Sequence, residues 1–133
     1  MALFHIGSGV VEIVRRYSNP VKEAWASVLL ELERERALTR VRALNAEFEG
    51  IVAASLDANS DDEHDPEGAT IAFERQRTAA LRARAEAHLD EVDRALARVA
   101  SGNYGICRSC RRPIGTERLT ALPVTEVCIG CAG

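Results

Sequence analysis

The sequence predicts an all-α protein: a long antiparallel helical hairpin of the coiled-coil type, followed by a C-terminal four-cysteine module. Three observations carry that prediction. Two segments of similar length, rich in Glu, Arg, Ala and Leu, repeat apolar residues at spacings of three and four. A short acidic stretch with turn-forming residues separates them. All four cysteines fall between positions 107 and 131, and none occurs in the 106 residues before them.

Composition bounds what such a chain does. It has 133 residues, 47% hydrophobic and 28% charged, with a formal net charge of -3. Aromatic residues make up only 5%. The core is therefore built from Leu, Val, Ile and Ala, which suits helix-helix seams better than a thick interior with a large catalytic cleft. Glu12, Arg15, Arg16, Lys22 and Glu23 interrupt the N-terminal apolar region, so no membrane span is expected. Residues 1–14 carry no basic residue ahead of their apolar part, unlike a secretory signal, so the expected location is cytoplasmic. A mildly acidic balance argues against wholesale wrapping of nucleic acid.

The elements follow in order. Residues 1–19 form an N-terminal segment of uncertain structure: Leu3, Ile6, Val10, Ile13 and Tyr17 have helical spacing, but Gly7, Ser8 and Gly9 interrupt it. The hairpin is expected over residues 20–101. Its first helix starts at Pro20, which suits the first helical position, with Ser18 or Asn19 capping it. Leu30, Ala37, Leu44, Ile51 and Ala58 recur every seven positions, and Val41, Phe48 and Ser55 make the second row of an a/d seam, in which Arg34 is out of place. After the acidic turn, the second helix runs from Pro66 to about Ser101 with Leu81, Ala85, Leu89, Val92, Leu96 and Val99 on one face, and Gly102 ends it. Each helix, at ~1.5 Å rise per residue, is on the order of 50 to 58 Å long. Equal lengths and a short joint favour folding back within one chain, and a monomer is expected over a dimer of continuous helices.

The strongest chemical signal lies in residues 102–133. Cys107-Arg108-Ser109-Cys110 and Cys128-Ile129-Gly130-Cys131 are two C-x2-C pairs separated by 17 residues, the spacing of four-cysteine zinc sites. Each short turn presents two sulfurs to one side, and two turns supply four thiolates to a tetrahedral ion that accepts soft ligands. Two disulfides or a set of free thiols are the competing readings, but disulfides would be reduced in a typical cytoplasm. Zinc is favoured over iron as a structural clip. Arg108, Arg111, Arg112 and Arg118 are expected to help hold the thiols deprotonated. Four cysteines leave no open coordination position, so the metal is not catalytic. His5 and His88 are remote in sequence and read as ordinary surface or packing residues.

The turn at 57–67 is the second candidate site. Asp57, Asp61, Asp62, Glu63, Asp65 and Glu67 are six of the twenty acids, and no Lys or Arg offsets them. Outside this stretch the balance is +3. Capping explains Asp65, which precedes Pro66 and Glu67 at a helix start. It does not explain Asp61, Asp62 and Glu63, whose mutual repulsion points to an acidic tip that meets a basic or metal-bearing partner. Solubilisation of an exposed turn is the bland alternative. A cation held with His64 is a minor option, because the segment lacks calcium-loop spacing.

A helical hairpin followed by Gly102-Asn103-Tyr104-Gly105-Ile106-Cys107-Arg108-Ser109-Cys110, then Pro113-Ile114, Arg118-Leu119, Ala121-Leu122-Pro123 and Cys128-Ile129-Gly130-Cys131, resembles the DksA/TraR family of bacterial transcription regulators. The likeness covers roughly residues 20–131 and is most specific in the finger. It implies a protein that binds RNA polymerase directly without reading promoter DNA, whose hairpin enters the secondary channel and brings acidic residues towards the catalytic centre. The family's tip pattern is Asp-x-x-Asp-x-Ala. Asp62 and Asp65 match both aspartates, while Glu67 stands where the pattern has Ala, and Pro66 opens the second helix. Some members act with the alarmone ppGpp as co-effector, and no residue of this chain is assigned to it.

Two other function classes fit the residues. A small zinc-finger DNA-binding module would use Arg108, Arg111, Arg112 and Arg118 on phosphates, but residues 102–133 carry only four basic residues against two acids. A protein adaptor would use the helical surface alone. An enzyme is the weakest reading, since no nucleophile-base pair or phosphate-binding glycine loop stands out.

Overall fold

The computed structural model describes residues 20–58 and 66–133. Among them the order is α1 (Pro20–Ala58), α2 (Pro66–Ala100), α3 (Thr116–Ala121) and a 3-10 turn at Ile129–Cys131. The only extended pairing among the described residues is an isolated antiparallel bridge between Ile106 and Pro113. The fold is all-α, a hairpin of two long helices with a four-cysteine cluster at its C-terminal end. The stripe from Leu3 to Tyr17, the caps Ser18 and Asn19, and the tip residues Asp61 to Asp65 lie outside the described residues.

The seam follows the heptads. Helix α1 buries Ala26, Leu30, Ala37 and Leu44, and helix α2 buries Ala85, Val92 and Ala95. The second-row residues Val41 and Phe48, with Leu81, Leu89, Leu96 and Val99, are only half-buried. Two helices bury one stripe and leave its flanks open, so the outer positions of a wide apolar face keep part of their contact with water.

Two compact units divide the chain: Met1–Leu32 with Glu91–Gly133, and Glu33–Asp90. Within the second, the antiparallel register is pinned by two polar pairs. Glu33 meets His88 at 2.9 Å, and the Thr78 hydroxyl donates to Glu47 Oε1 at 3.0 Å. Arg82 also stacks its guanidinium on Phe48, 4.6 Å from the ring centroid. Thr78 is a buried polar residue where the apolar pattern gave no sign of one. Its burial is tolerable because the hydroxyl has a carboxylate partner.

In the first unit, Leu30 of α1 packs with Val92 and Ala95 of α2, and Leu96, Val99, Tyr104 and Val124 close around them. Helix α2 stops where the sequence places its end. Gly102 takes a left-handed conformation with φ 74, and the N-H groups of Asn103 and Tyr104 both donate to the Arg98 carbonyl, at 2.8 and 3.1 Å. An L-residue with a side chain would resist that turn, which is why glycine serves there.

Candidate metal centre

The finger is built from two tight turns held side by side. In the first, Arg111 N-H donates to the Cys107 carbonyl at 2.9 Å, and Cys107 N-H donates to the Arg112 carbonyl at 2.8 Å. Closing that loop puts Arg111 at φ 60, a left-handed conformation uncommon for a residue with a side chain. The bridge between Ile106 and Pro113 shuts the base of the loop, with Ile114 N-H donating to the Gly105 carbonyl at 2.7 Å. In the second turn, Cys131 N-H donates to the Cys128 carbonyl at 3.0 Å. Arg108 N-H, donating to the Glu126 carbonyl at 2.8 Å, ties one turn to the other. Beneath them Cys107, Ile114 and Leu119 form a small buried cluster, with Leu119 supplied by α3.

These turns converge the four sulfurs. The Sγ atoms of Cys107, Cys110, Cys128 and Cys131 all lie within 4.8 Å of one another, and those of Cys110 and Cys128 are 3.7 Å apart. A tetrahedral ion with metal-sulfur bonds of ~2.3 Å separates its ligands by roughly 3.8 Å, so the spacing fits. All four cysteines are unbridged in this arrangement. Crowding also splits their acidities. Cys107 is drawn down to about 6, first by the backbone N-H of Cys110 and then by that of Cys128. Cys131 is pushed up to about 12 by its neighbours' sulfurs, those of Cys128 first and then Cys110 and Cys107. One thiol ionises easily while another resists, and a divalent cation among them removes that conflict.

Two of the four arginines expected to assist have other partners. Arg108 pairs with Glu126 Oε2 at 2.9 Å, and Arg118 Nε donates to the Val127 carbonyl at 2.9 Å. Backbone N-H groups, not guanidinium charge, lead the lowering at Cys107. The C-x2-C turn of Cys107 delivers the Cys110 N-H through its own geometry and the facing turn delivers that of Cys128, while Arg108 and Arg118 brace the loop.

Sequence reasoning missed the residues that anchor the finger to the foot of the hairpin. Arg98 of α2 donates to Glu126 Oε1 at 2.7 Å and to the Val124 carbonyl at 3.0 Å. Tyr104 donates its hydroxyl to the Pro123 carbonyl at 2.8 Å. Burial raises the Tyr104 phenol above its ordinary value, against the pull of Arg98. Nothing in the one-dimensional pattern distinguishes Arg98 from the other arginines of its helix, because its partners lie 26 and 28 residues away.

Comparison with known proteins agrees with this geometry. Residues 102–133 match the prokaryotic dksA/traR C4-type zinc finger. The structure of transcription factor DksA2 from Pseudomonas aeruginosa superposes with a TM-score of 0.73 at 25% identity, covering 90% of this chain and 89% of that one. Residues 102–133 thus carry a dksA/traR-type C4 zinc finger, and the chain as a whole is similar in fold to DksA2. Two further relatives match over shorter stretches. An uncharacterized protein of Aquifex aeolicus is 46% identical over 46 residues, and the protein YteA of Bacillus subtilis is 37% identical over 62. The chain spans only 32% and 26% of those two proteins. In DksA/TraR terms, the finger's four sulfurs are together in the structure, whereas the tip aspartates Asp62 and Asp65 lie outside the described residues.

Proposed function

We propose that this protein is a non-enzymatic transcription regulator that binds RNA polymerase directly and delivers the acidic tip at 57–67 through the enzyme's secondary channel. The observation that carries the reading is the likeness, over nine-tenths of both chains, to a protein described as a transcription factor. In this account residues 20–101 supply reach and residues 102–133 form the finger that braces the hairpin's foot. Cys107, Cys110, Cys128 and Cys131 hold zinc, and with four thiolates filling its coordination sphere the ion supplies structure. Asp62 and Asp65 are the tip residues that act. A polymerase active centre holds magnesium and basic side chains, so carboxylates brought near it perturb ion or substrate positions electrostatically.

The test is binding to purified bacterial core RNA polymerase, repeated with a competitor that occupies the secondary channel. Displacement by the competitor is expected, and binding indifferent to it would sink the channel reading. The double change Asp62→Asn with Asp65→Asn is expected to keep polymerase binding and folding but to lose the effect on transcription. Unchanged transcription output from that variant would exclude the acidic-tip mechanism.

A further inference from the structure

Helix α1 is apolar on two sides near its start. The seam side carries Ala26 and Leu30, both fully buried. The other side carries Trp25, Val28 and Leu32, which at about 100° per residue stand about 150° round the helix from the seam. Val28 is 63% exposed, Leu32 53% and Trp25 39%. The stripe stops at Leu32, because the next turns on that side bring Glu35, Arg36 and Thr39, all exposed. At its other end Trp25 borders a depression lined by Tyr104, Ile106, Pro113 and Leu119, so the apolar surface continues from α1 onto the finger. Single exposed apolar residues are ordinary, but a row of three joined to a further apolar surface and ended by charge marks a face that something covers.

The chain itself supplies a matching row. Leu3, Ile6, Val10, Ile13 and Tyr17 precede α1, and Ser18, Asn19 and Pro20 make a joint of the length and chemistry that connects antiparallel helices. About Asn19 the two rows are mirror images. Ile13 lies as many positions before Asn19 as Trp25 lies after it. From there Val10 and Ile6 step away by three and then four, as Val28 and Leu32 do on the other side. An antiparallel return therefore sets Ile13 against Trp25, Val10 against Val28 and Ile6 against Leu32. Leu3, one step further, falls opposite Glu35, where the stripe on α1 has already ended.

Reach and energetics favour this occupant over a separate molecule. At ~1.5 Å per residue, residues 3–17 in helical form cover about 21 Å, and Pro20 to Leu32 spans about 18 Å, so the segment is long enough for the whole stripe. Gly7, Ser8 and Gly9 weaken a helix standing alone, and isolated helices of ~12–15 residues are marginal in water. An apolar face to bury against supplies what the segment lacks. A joint this short also holds the segment beside α1 at an effective concentration on the order of millimolar, which a second copy in dilute solution does not match.

We propose that residues 3–17 fold back as a helix on the outer face of α1 and cover Trp25, Val28 and Leu32. This docking needs no partner and stands apart from polymerase binding. The experiment compares the full chain with Ile6→Ser/Val10→Ser/Ile13→Ser, with Leu3→Ser, and with Val28→Ser/Leu32→Ser, which alters the other side of the contact. Acrylamide quenching of Trp25, the single tryptophan, reads its cover, and the rate of tryptic cleavage after Arg15 and Arg16 reads the segment. Circular dichroism confirms that each variant keeps α1 and α2. The triple change is expected to raise the quenching constant about twofold and to speed cleavage about tenfold or more, while Leu3→Ser changes neither. The α1 pair should speed cleavage as the triple change does. Quenching and cleavage unmoved by the triple change, or cleavage unmoved by the α1 pair, overturn the docking. Leu3→Ser as damaging as the triple change overturns the mirror pairing. Protection that fades on dilution, with sedimentation showing a dimer falling to a monomer, overturns the intramolecular contact in favour of a second copy.

Discussion

Replacing Arg98 by Met tests whether the foot of the hairpin is joined to the finger by charge-assisted hydrogen bonds. The Arg98 side chain is 21% exposed and that of Glu126 is 29% exposed, so solvent screens the pair only partly. Met keeps most of the apolar stem and removes the donors to Glu126 at 2.7 Å and to the Val124 carbonyl at 3.0 Å. Hydrogen bonds to charged groups contribute about 1.5–3 kcal/mol each, and a half-buried acceptor left without its donor keeps part of its desolvation cost. Glu126 retains Arg108, but that side chain is 73% exposed and compensates little. The expected loss is therefore about 2–3 kcal/mol. Urea unfolding followed by the fluorescence of Trp25, the single tryptophan, reads it in the unit that contains Arg98. Arg108→Met serves as the exposed control and should cost about 0.5 kcal/mol or less. The cycle Arg98→Met with Glu126→Gln should give a coupling of about 1–2 kcal/mol. If Arg98→Met costs no more than Arg108→Met, or the two changes add without coupling, the pair does not hold the finger.

Leu30→Ala opens a cavity against Val92 and Ala95, so an equilibrium unfolding loss of about 2–5 kcal/mol is expected, and a loss below about 1 would mean the seam is not the core. Cys107→Ser should lower the zinc content measured by elemental analysis and the melting temperature together, as should a strong chelator acting on the unaltered protein. Full metal content with unchanged melting would remove the clip from the account. Tyr104 keeps its proton to higher pH when folded than its ordinary value of 10.0 allows. Its contribution to stability is thus complete below pH 10.0 and declines as pH rises through the raised value. Phenolate absorbance should show one late-ionising tyrosine that Tyr104→Phe removes, and a single ordinary titration for both tyrosines would contradict the burial.

Much of the fold was legible because helices write their packing into a short period. The heptads from Leu30 to Ala58, the proline at each helix start and Gly102 at the stop are local signals, and the helix bounds Pro20–Ala58 and Pro66–Ala100 agree with them to within a residue. The cysteine pairs were legible for a related reason: a C-x2-C turn fixes its own geometry, so spacing alone foretells convergence. Thr78 was not legible, because a buried hydroxyl is acceptable only if a carboxylate stands opposite, and Glu47 is 31 residues away. The sequence points to nearby arginines as helping to keep the thiols deprotonated, since charge is visible in a sequence and the aim of a backbone N-H at Cys107 is not.

The sequence by itself determined the period of the helices, where they start and stop, and which four sulfurs form a set. These properties depend on residues within a few positions of one another or on spacing that geometry makes rigid. Only the tertiary structure decided that Arg98 reaches Glu126 and Val124, that Glu47 satisfies Thr78, and that Arg40 and Arg84 flank one groove. The first depends on how the finger folds back on α2 and the others on the register between two helices, and each is the sum of many weak contacts that no single stretch of chain contains.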